Sequence, residues 1–315
     1  MLNSKYQIDV LGFHKVGEGG EVKPNKKILE ELFKRGKPGK YCTSYGIRCR
    51  ITSFNDAEHH GKQKLAIYNL LPCGKRSGVH VYVPIVLGVR GGRIGRSAFV
   101  DNGEMATLYA SIQEEVIIVT FDPRGFDSNE NKVSYSLETR SADILAVLQV
   151  IGKPEFWIKI ARDYSKAGIF WNGKVILLGA SMGGYDVAYL SSLVVPDALI
   201  MCVPAAYSKA AHTVRFGESF TRAIRKSESW KDSYAYDNFA RYRNPSEGSG
   251  VSENVLIIQK QSDDIVDASI VNQYVKVRPV GTRCIKTPGG HGTVVLKDVL
   301  ALTEFIKQFS GSCDS

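Results

Sequence analysis

No stretch of this 315-residue sequence is apolar for long enough to cross a bilayer. Its strongest runs, "EVIIVT" and "VILLGA", fall far short of the ~20 residues a spanning helix needs. The opening "MLNSKYQIDVLGFHKVGEGG" lacks an apolar core of signal-peptide length, so no secretory signal is read and a cytoplasmic protein is expected. Cysteine is sparse. Cys42, Cys49, Cys73, Cys202, Cys284 and Cys313 form no C-x-x-C, and none has a histidine at zinc-finger spacing. Free thiols are therefore expected rather than a disulfide framework. No His, Asp and Glu cluster has metal-ligand spacing, so neither a metal nor another cofactor is expected. Basic residues outnumber acidic ones, giving a formal charge of +9, but both signs are spread along the whole chain. That pattern favours a solvated basic surface over a dedicated polyanion groove, and no nucleic-acid partner is expected. The surplus is read as solvated surface, compatible with an anionic substrate.

What is present is an alternation of strand-like and helix-like segments. "GIRCRITSF" (46–54) and "QKLAIYNLL" (63–71) are expected to pair as a hairpin across a polar turn. Strands are then predicted at "VYVPIVLGV" (81–89), "EVIIVTF" (115–121), "KVILLG" (174–179), "DALIMCV" (197–203), "NVLIIQ" (254–259) and "TRCIKT" (282–287). Helices are expected between them over "NGEMATLYASIQE" (102–114), "SLETRSADILAVLQVIG" (136–152), with a serine cap, and "PEFWIKIARDYSKAG" (154–168). Three more should begin near 184, 267 and 292. Strand followed by helix, repeated, implies crossover connections and an α/β fold with a mostly parallel sheet flanked by helices.

Two segments break this rhythm. Residues 1–45 are polar and lysine-rich, with one amphipathic helix expected at "NKKILEELFKRG" (25–36), and are read as an N-terminal extension. Residues 207–250 are aromatic, basic and too long for a simple loop, and are read as a small cap inserted between the core segments 46–206 and 251–315.

The chemistry concentrates at the ends of the predicted strands. Gly179-Ala180-Ser181-Met182-Gly183 satisfies G-x-S-x-G, with an apolar strand before it and a helix after it. Small residues two places either side of the serine allow a turn tight enough to lift its hydroxyl above a helix N-terminus. A serine hydroxyl needs a base, and the base needs an orienting acid. His291, between glycines in "TPGGHGTVV", and Asp263, in "LIIQKQSDDIVD", follow later strands in the order Ser, Asp, His. Asp264 is the competing acid, and Asp264 or Asp267 could equally cap the next helix. Acyl transfer develops an oxyanion that backbone N–H groups must meet. Met182, directly after the nucleophile, is one expected donor; Gly92, with Gly91 next, is the other, in the glycine turn after strand 81–89.

These residues resemble the α/β-hydrolase superfamily. The resemblance covers roughly residues 46–310 and rests on "GASMGG", "DPRGFDS" (122–128), "SDDIVD" and "GGHG". The segment Asp122–Ser128 looks like the family's D-x-R-G-x-G-x-S loop, with Asp127 replacing a glycine, and is a structural landmark. Arg90-Gly91 stands where the family usually has His-Gly, and Lys260 replaces a common glycine ahead of the acid. The resemblance implies the α/β-hydrolase fold and a cofactor-independent serine hydrolase that cleaves a carboxylic ester or thioester of a small-molecule or carrier-linked acyl substrate. Arg90 and His212 are candidate substrate contacts. Acyl transfer by the same triad is the alternative within catalysis, and a binding protein on a hydrolase scaffold is the alternative outside it.

Overall fold

Strand-like runs that are apolar on both faces dictate the centre of this molecule. The computed structural model describes residues 80–92, 108, 112, 116–123, 135–152, 157, 164–165, 168–225, 228–243 and 253–311 in full, and 6–14, 41–43, 46–53 and 62–72 as backbone strands. Ten strands form one sheet: Tyr6–His14 (β1), Tyr41–Thr43 (β2), Gly46–Ser53 (β3), Lys62–Pro72 (β4), Val81–Val89 (β5), Ile117–Asp122 (β6), Ile169–Ala180 (β7), Ala198–Cys202 (β8), Val255–Lys260 (β9) and Thr282–Thr287 (β10). Their order is β1-β3-β4-β6-β5-β7-β8-β9-β10, with β2 also on β4. The six strands β5 to β10 run parallel. The first four are antiparallel, and β3 and β4 make the expected hairpin, with Arg50 opposite Lys62.

Seven α-helices are described: Leu137–Ile151 (α1), Met182–Val194 (α2), Lys209–His212 (α3), Glu218–Ile224 (α4), Tyr234–Ala240 (α5), Ala268–Val277 (α6) and Leu296–Lys307 (α7). Strand side chains alternate between two cores, as the pleat requires. Leu87, Val119, Leu177, Leu199 and Ile257 face a core shared with α1, α2, α5 and α6. Val86, Ile118, Ile176, Ile200 and Leu256 face a second core with Leu302, Phe305 and Ile306 of α7. Covering both faces is what makes near-continuous apolar strands such as "VLIIQ" stable in a parallel sheet. The cap on α1 is the expected one: Ser136 Oγ accepts from Thr139 N at 3.3 Å, and Thr139 Oγ1 accepts from Ser136 N at 2.8 Å.

The extension expected over 1–45 is in part sheet, because β1 lies beside β3 and β2 pairs with β4. Tyr6, Ile8 and Val10 alternate with Gln7 and Asp9, a strand pattern cut short where the register shifts between Val10 and Gly12. The helices expected at 25–36, 102–114 and 154–168 lie outside the described residues apart from isolated positions such as Leu108, Ile112 and Trp157. Arg124–Ser128 of the "DPRGFDS" loop lie outside them too. Among the described residues, no helix is long and apolar enough to cross a membrane.

Where it is described, the 207–250 segment is helical: α3, α4, a 3-10 turn at Ser229–Asp232, and α5. It packs on the α2 side of the sheet. Tyr242 Oη donates to Pro196 O (2.6 Å), Ser192 Oγ to Asn238 Oδ1 (2.9 Å) and Tyr236 Oη to Ile270 O (3.1 Å).

Candidate active site

Ser181 sits on the turn between β7 and α2 with φ 54° and ψ −116°, a left-handed conformation that a serine rarely adopts. The surroundings hold it there. Its N–H donates to Cys202 O (2.9 Å), and its carbonyl accepts from Gly184 N (2.9 Å) and Ala205 N (3.0 Å). A Cβ on Gly179 would stand 2.2 Å from Gly183 O, and one on Gly183 would stand 2.2 Å from Val89 O. Both contacts are with backbone, which cannot swing aside, so this turn admits only glycine two places before and two places after the serine.

The turn presents Ser181 Oγ to His291 Nε2 at 2.8 Å. His291 Nδ1 in turn lies 3.0 and 2.9 Å from the two carboxylate oxygens of Asp263. An ionised carboxylate only accepts, so Nδ1 carries the proton and Nε2 is left to accept from the serine hydroxyl. Asp263 Oδ1 also takes the N–H groups of Ile265 (2.9 Å) and Val266 (2.8 Å). Burial pushes the Asp263 carboxyl up, but the Val266 N–H, His291 and the Ile265 N–H outweigh it and hold the group below its ordinary range. Backbone bonds Gln261 N to Thr287 O (2.9 Å) and Ser262 N to Gly289 O (3.1 Å) tie the aspartate loop to the histidine loop. Asp264 is exposed and outside this arrangement, and Asp267 caps α6 through Ser269 N (2.7 Å).

Behind the serine, a buried arginine braces the turn that follows β5. Arg140 of α1 donates from Nη2 to Arg90 O (2.8 Å) and from Nη1 to Gly92 O (3.0 Å). Its Nε and Nη2 reach Asp186 Oδ2 of α2 at 2.9 and 2.8 Å. One guanidinium thus fixes two carbonyls of the glycine turn relative to the helix that follows Ser181. Burial pushes the Asp186 carboxyl up to about 6, partly opposed by Arg140. For Arg140 itself, desolvation lowers the pKa and Asp186 more than offsets it, so it stays charged. Gly91 packs tightly over the serine: a Cβ there would meet Ala180 O at 2.8 Å and Ser181 Cβ at 2.9 Å. Gly92, at φ 89°, is in the left-handed region that glycine tolerates. Met182 is the first residue of α2, where backbone N–H groups have no partner within the helix.

Ser181 and His291 open onto a cleft of about 420 Å³. Leu108, Val203, Ile258, Ile265 and Val294 supply its apolar lining, and Arg90, Lys260 and Asp298 its charged groups. Arg90, Gly91 and Gly92 are among its lining residues. His212 is not. It is buried against α2, with Nδ1 2.9 Å from Tyr185 Oη and its ring 4.5 Å from that of Tyr189. An aromatic-rich insertion next to a predicted site invites a substrate role for its histidine, but the rings against it are Tyr185 and Tyr189 of α2 and Tyr234 of the insertion. None of the described insertion residues lines the cleft. Among the described residues no group of three or more His, Cys, Asp or Glu could hold a metal ion. Sequence reasoning missed Arg140, Asp186 and Asp298; the available signal was a charged residue inside otherwise apolar helical stretches, as in "MGGYDVAYL".

No protein-family model and no curated protein sequence matches the chain. Solved structures do. Est1E from Butyrivibrio proteoclasticus is 17% identical with a TM-score of 0.53, over 78% of this chain and 95% of that one. An α/β serine hydrolase without a lid from Xanthomonas campestris is 16% identical with a TM-score of 0.50, over 87% and 96%. The Pyrococcus furiosus esterase Pf2001 is 14% identical with a TM-score of 0.52, over 91% and 99%. With six parallel strands in this order and such structures matching over more than three quarters of its length, the chain has the fold of the α/β-hydrolase superfamily.

Proposed function

We propose that this protein is a serine hydrolase that cleaves a carboxylic ester or thioester through an acyl-enzyme on Ser181. The observation that carries the reading is the continuous hydrogen-bond relay from Ser181 Oγ through His291 to Asp263, at 2.8 and 2.9 to 3.0 Å, at the mouth of a mostly apolar cleft. The names of two matched structures, an esterase and a serine hydrolase, agree with it.

In this reading His291 Nε2 takes the hydroxyl proton as Ser181 Oγ attacks the acyl carbon. Asp263 keeps the imidazole in the required tautomer and stabilises the imidazolium. The N–H groups of Met182 and Gly92, with Gly91 beside them, meet the oxyanion, and Arg140 holds the turn that carries the two glycines. The tetrahedral intermediate expels an alkoxide or thiolate, which leaves with the proton from His291. Water then gives a proton to Nε2 and attacks the acyl carbon. Collapse returns that proton to Ser181 and releases the acid. Arg90 at the cleft rim is suited to the polar end of the substrate.

Labelling by a fluorophosphonate, read by intact mass on wild type and Ser181→Ala, tests this directly. The expected result is one adduct on wild type, none on the variant, and ester turnover that falls by about 10⁴-fold or more with the same substitution. Wild-type protein that neither labels nor turns over short or medium acyl p-nitrophenyl esters would overturn the reading.

A further inference from the structure

The floor of the cleft follows from strand register. Ala180 pairs with Cys202, and Cys202 with Ile258, so these three side chains form one row on the α7 face of the sheet. Lys260 lies two residues beyond Ile258 and therefore on the same face. β7 and β9 are two inter-strand spacings apart, which puts Lys260 about 10 Å from the nucleophile's strand. That is a distance an acyl chain of a few carbons covers.

At this point an otherwise apolar lining carries a buried ion pair. Lys260 and Asp298 both line the cleft and are 7% and 2% exposed. Lys260 Nζ donates to Asp298 Oδ2 and to Thr287 Oγ1 (3.0 Å). Asp298 Oδ2 also accepts the N–H of Val295 at 2.8 Å. Asp298 Oδ1 is buried and has no hydrogen-bond partner among the described residues. An ammonium has three protons, and two of them are accounted for here. The pair thus offers one donor and one acceptor side by side, with no net charge. A buried carboxylate oxygen without a partner is unfavourable unless something supplies a donor.

We infer that the cleft selects acyl groups carrying a neutral hydroxyl or amide along the chain, which accepts from Lys260 Nζ and donates to Asp298 Oδ1. The inference rests on the serine-hydrolase reading, and it names the substrate class of that same site. Because the pair is already neutral, a terminal carboxylate gains no charge partner there.

The test uses the full-length protein and four p-nitrophenyl esters: hexanoate, ω-hydroxyhexanoate, N-acetyl-γ-aminobutyrate and the monoester of adipate, each corrected for hydrolysis without enzyme. The hydroxyl or the amide ester is expected to exceed hexanoate by about tenfold in kcat/KM, the scale of one hydrogen bond to a charged group. The adipate ester should show no such gain. In the double variant Lys260→Met with Asp298→Leu, which removes both charges together, the ratio should fall to near unity. Equal turnover of hexanoate and both polar esters by wild type that labels with fluorophosphonate would overturn this inference alone. So would a preference for adipate, or a polar preference that survives in the double variant. Should that variant fail to fold, the wild-type ratios decide. Absence of labelling would instead remove the serine-hydrolase reading, and this inference with it.

Discussion

Among the described residues, a buried ion pair stands on each face of the sheet, and the two are used differently. On the α1 and α2 face, Arg140 directs its guanidinium to Asp186 and to the carbonyls of Arg90 and Gly92. On the α7 face, Lys260 binds Asp298 and Thr287; among the described residues each of the two aspartates keeps one buried oxygen without a hydrogen-bond partner, but of the two Asp298 alone lines the cleft. The planar, forked guanidinium suits a brace that must fix several acceptors at once; the compact ammonium suits a contact point with capacity to spare. In the proposed function the first pair shapes the machinery and the second shapes what enters.

That contrast can be broken by substitution. The largest effect on stability is expected from Asp298→Asn, which leaves Lys260 buried without its counter-charge; a loss of about 3–5 kcal/mol in unfolding free energy should appear in denaturant titration. Next comes Arg140→Met. If the brace aligns the oxyanion donors, kcat should drop by about 100-fold while KM changes little, the signature of a displacement felt in the transition state. Arg140→Lys should not restore the rate, since an ammonium cannot span the same acceptors; a restored rate would reduce the brace to mere packing. By contrast, replacing Lys260 and Asp298 together by Met and Leu should leave stability unchanged or raise it by about 1–4 kcal/mol, because no lone charge remains. A marked loss would mean that this pair is also structural.

The smallest effect separates two carboxylates by pH. The Asp186 carboxyl is raised to about 6, so the folded state binds its proton more readily than the unfolded chain does. Its contribution to stability is full below the ordinary carboxylate range and is lost as pH rises through about 6. Asp263 has the opposite sign: its pKa is lowered, so its contribution is present above the ordinary range and is lost as pH falls through its folded value. Melting temperatures from neutral to acid should show the gap between wild type and Asp263→Asn closing only in acid. Unfolding of Asp186→Asn should lose the pH dependence that wild type shows around pH 6.

The sequence made one part of this legible and hid another for the same physical reason, which is distance along the chain. Strands β5, β6 and β9 are visible because burial on both faces leaves an unbroken local pattern. Ser181, Asp263 and His291 are visible because each follows its strand within a few residues and needs a particular neighbourhood. Asp263 rather than Asp264 could be favoured, but only the carboxylate's contacts with His291 and two backbone N–H groups distinguish them structurally. Arg140 and Asp186 are 46 residues apart, and no local periodicity links them. Asp298 is 38 residues from Lys260, whose oddness in the motif was the one local trace of the pair. His212 shows the reverse failure: an aromatic-rich insertion looked like a binding surface, but its histidine is packed against Tyr185 and Tyr189 of α2.

The backbone at Ser181 has a consequence beyond chemistry. A non-glycine residue in such a conformation stores on the order of 1–3 kcal/mol, held in place by the bonds from Cys202 and Ala205 around it. Selection for resistance to unfolding alone would therefore favour glycine at this position, which takes up the same φ without strain. Ser181→Gly should raise the melting temperature while abolishing turnover, so the proposed nucleophile sits against the grain of stability.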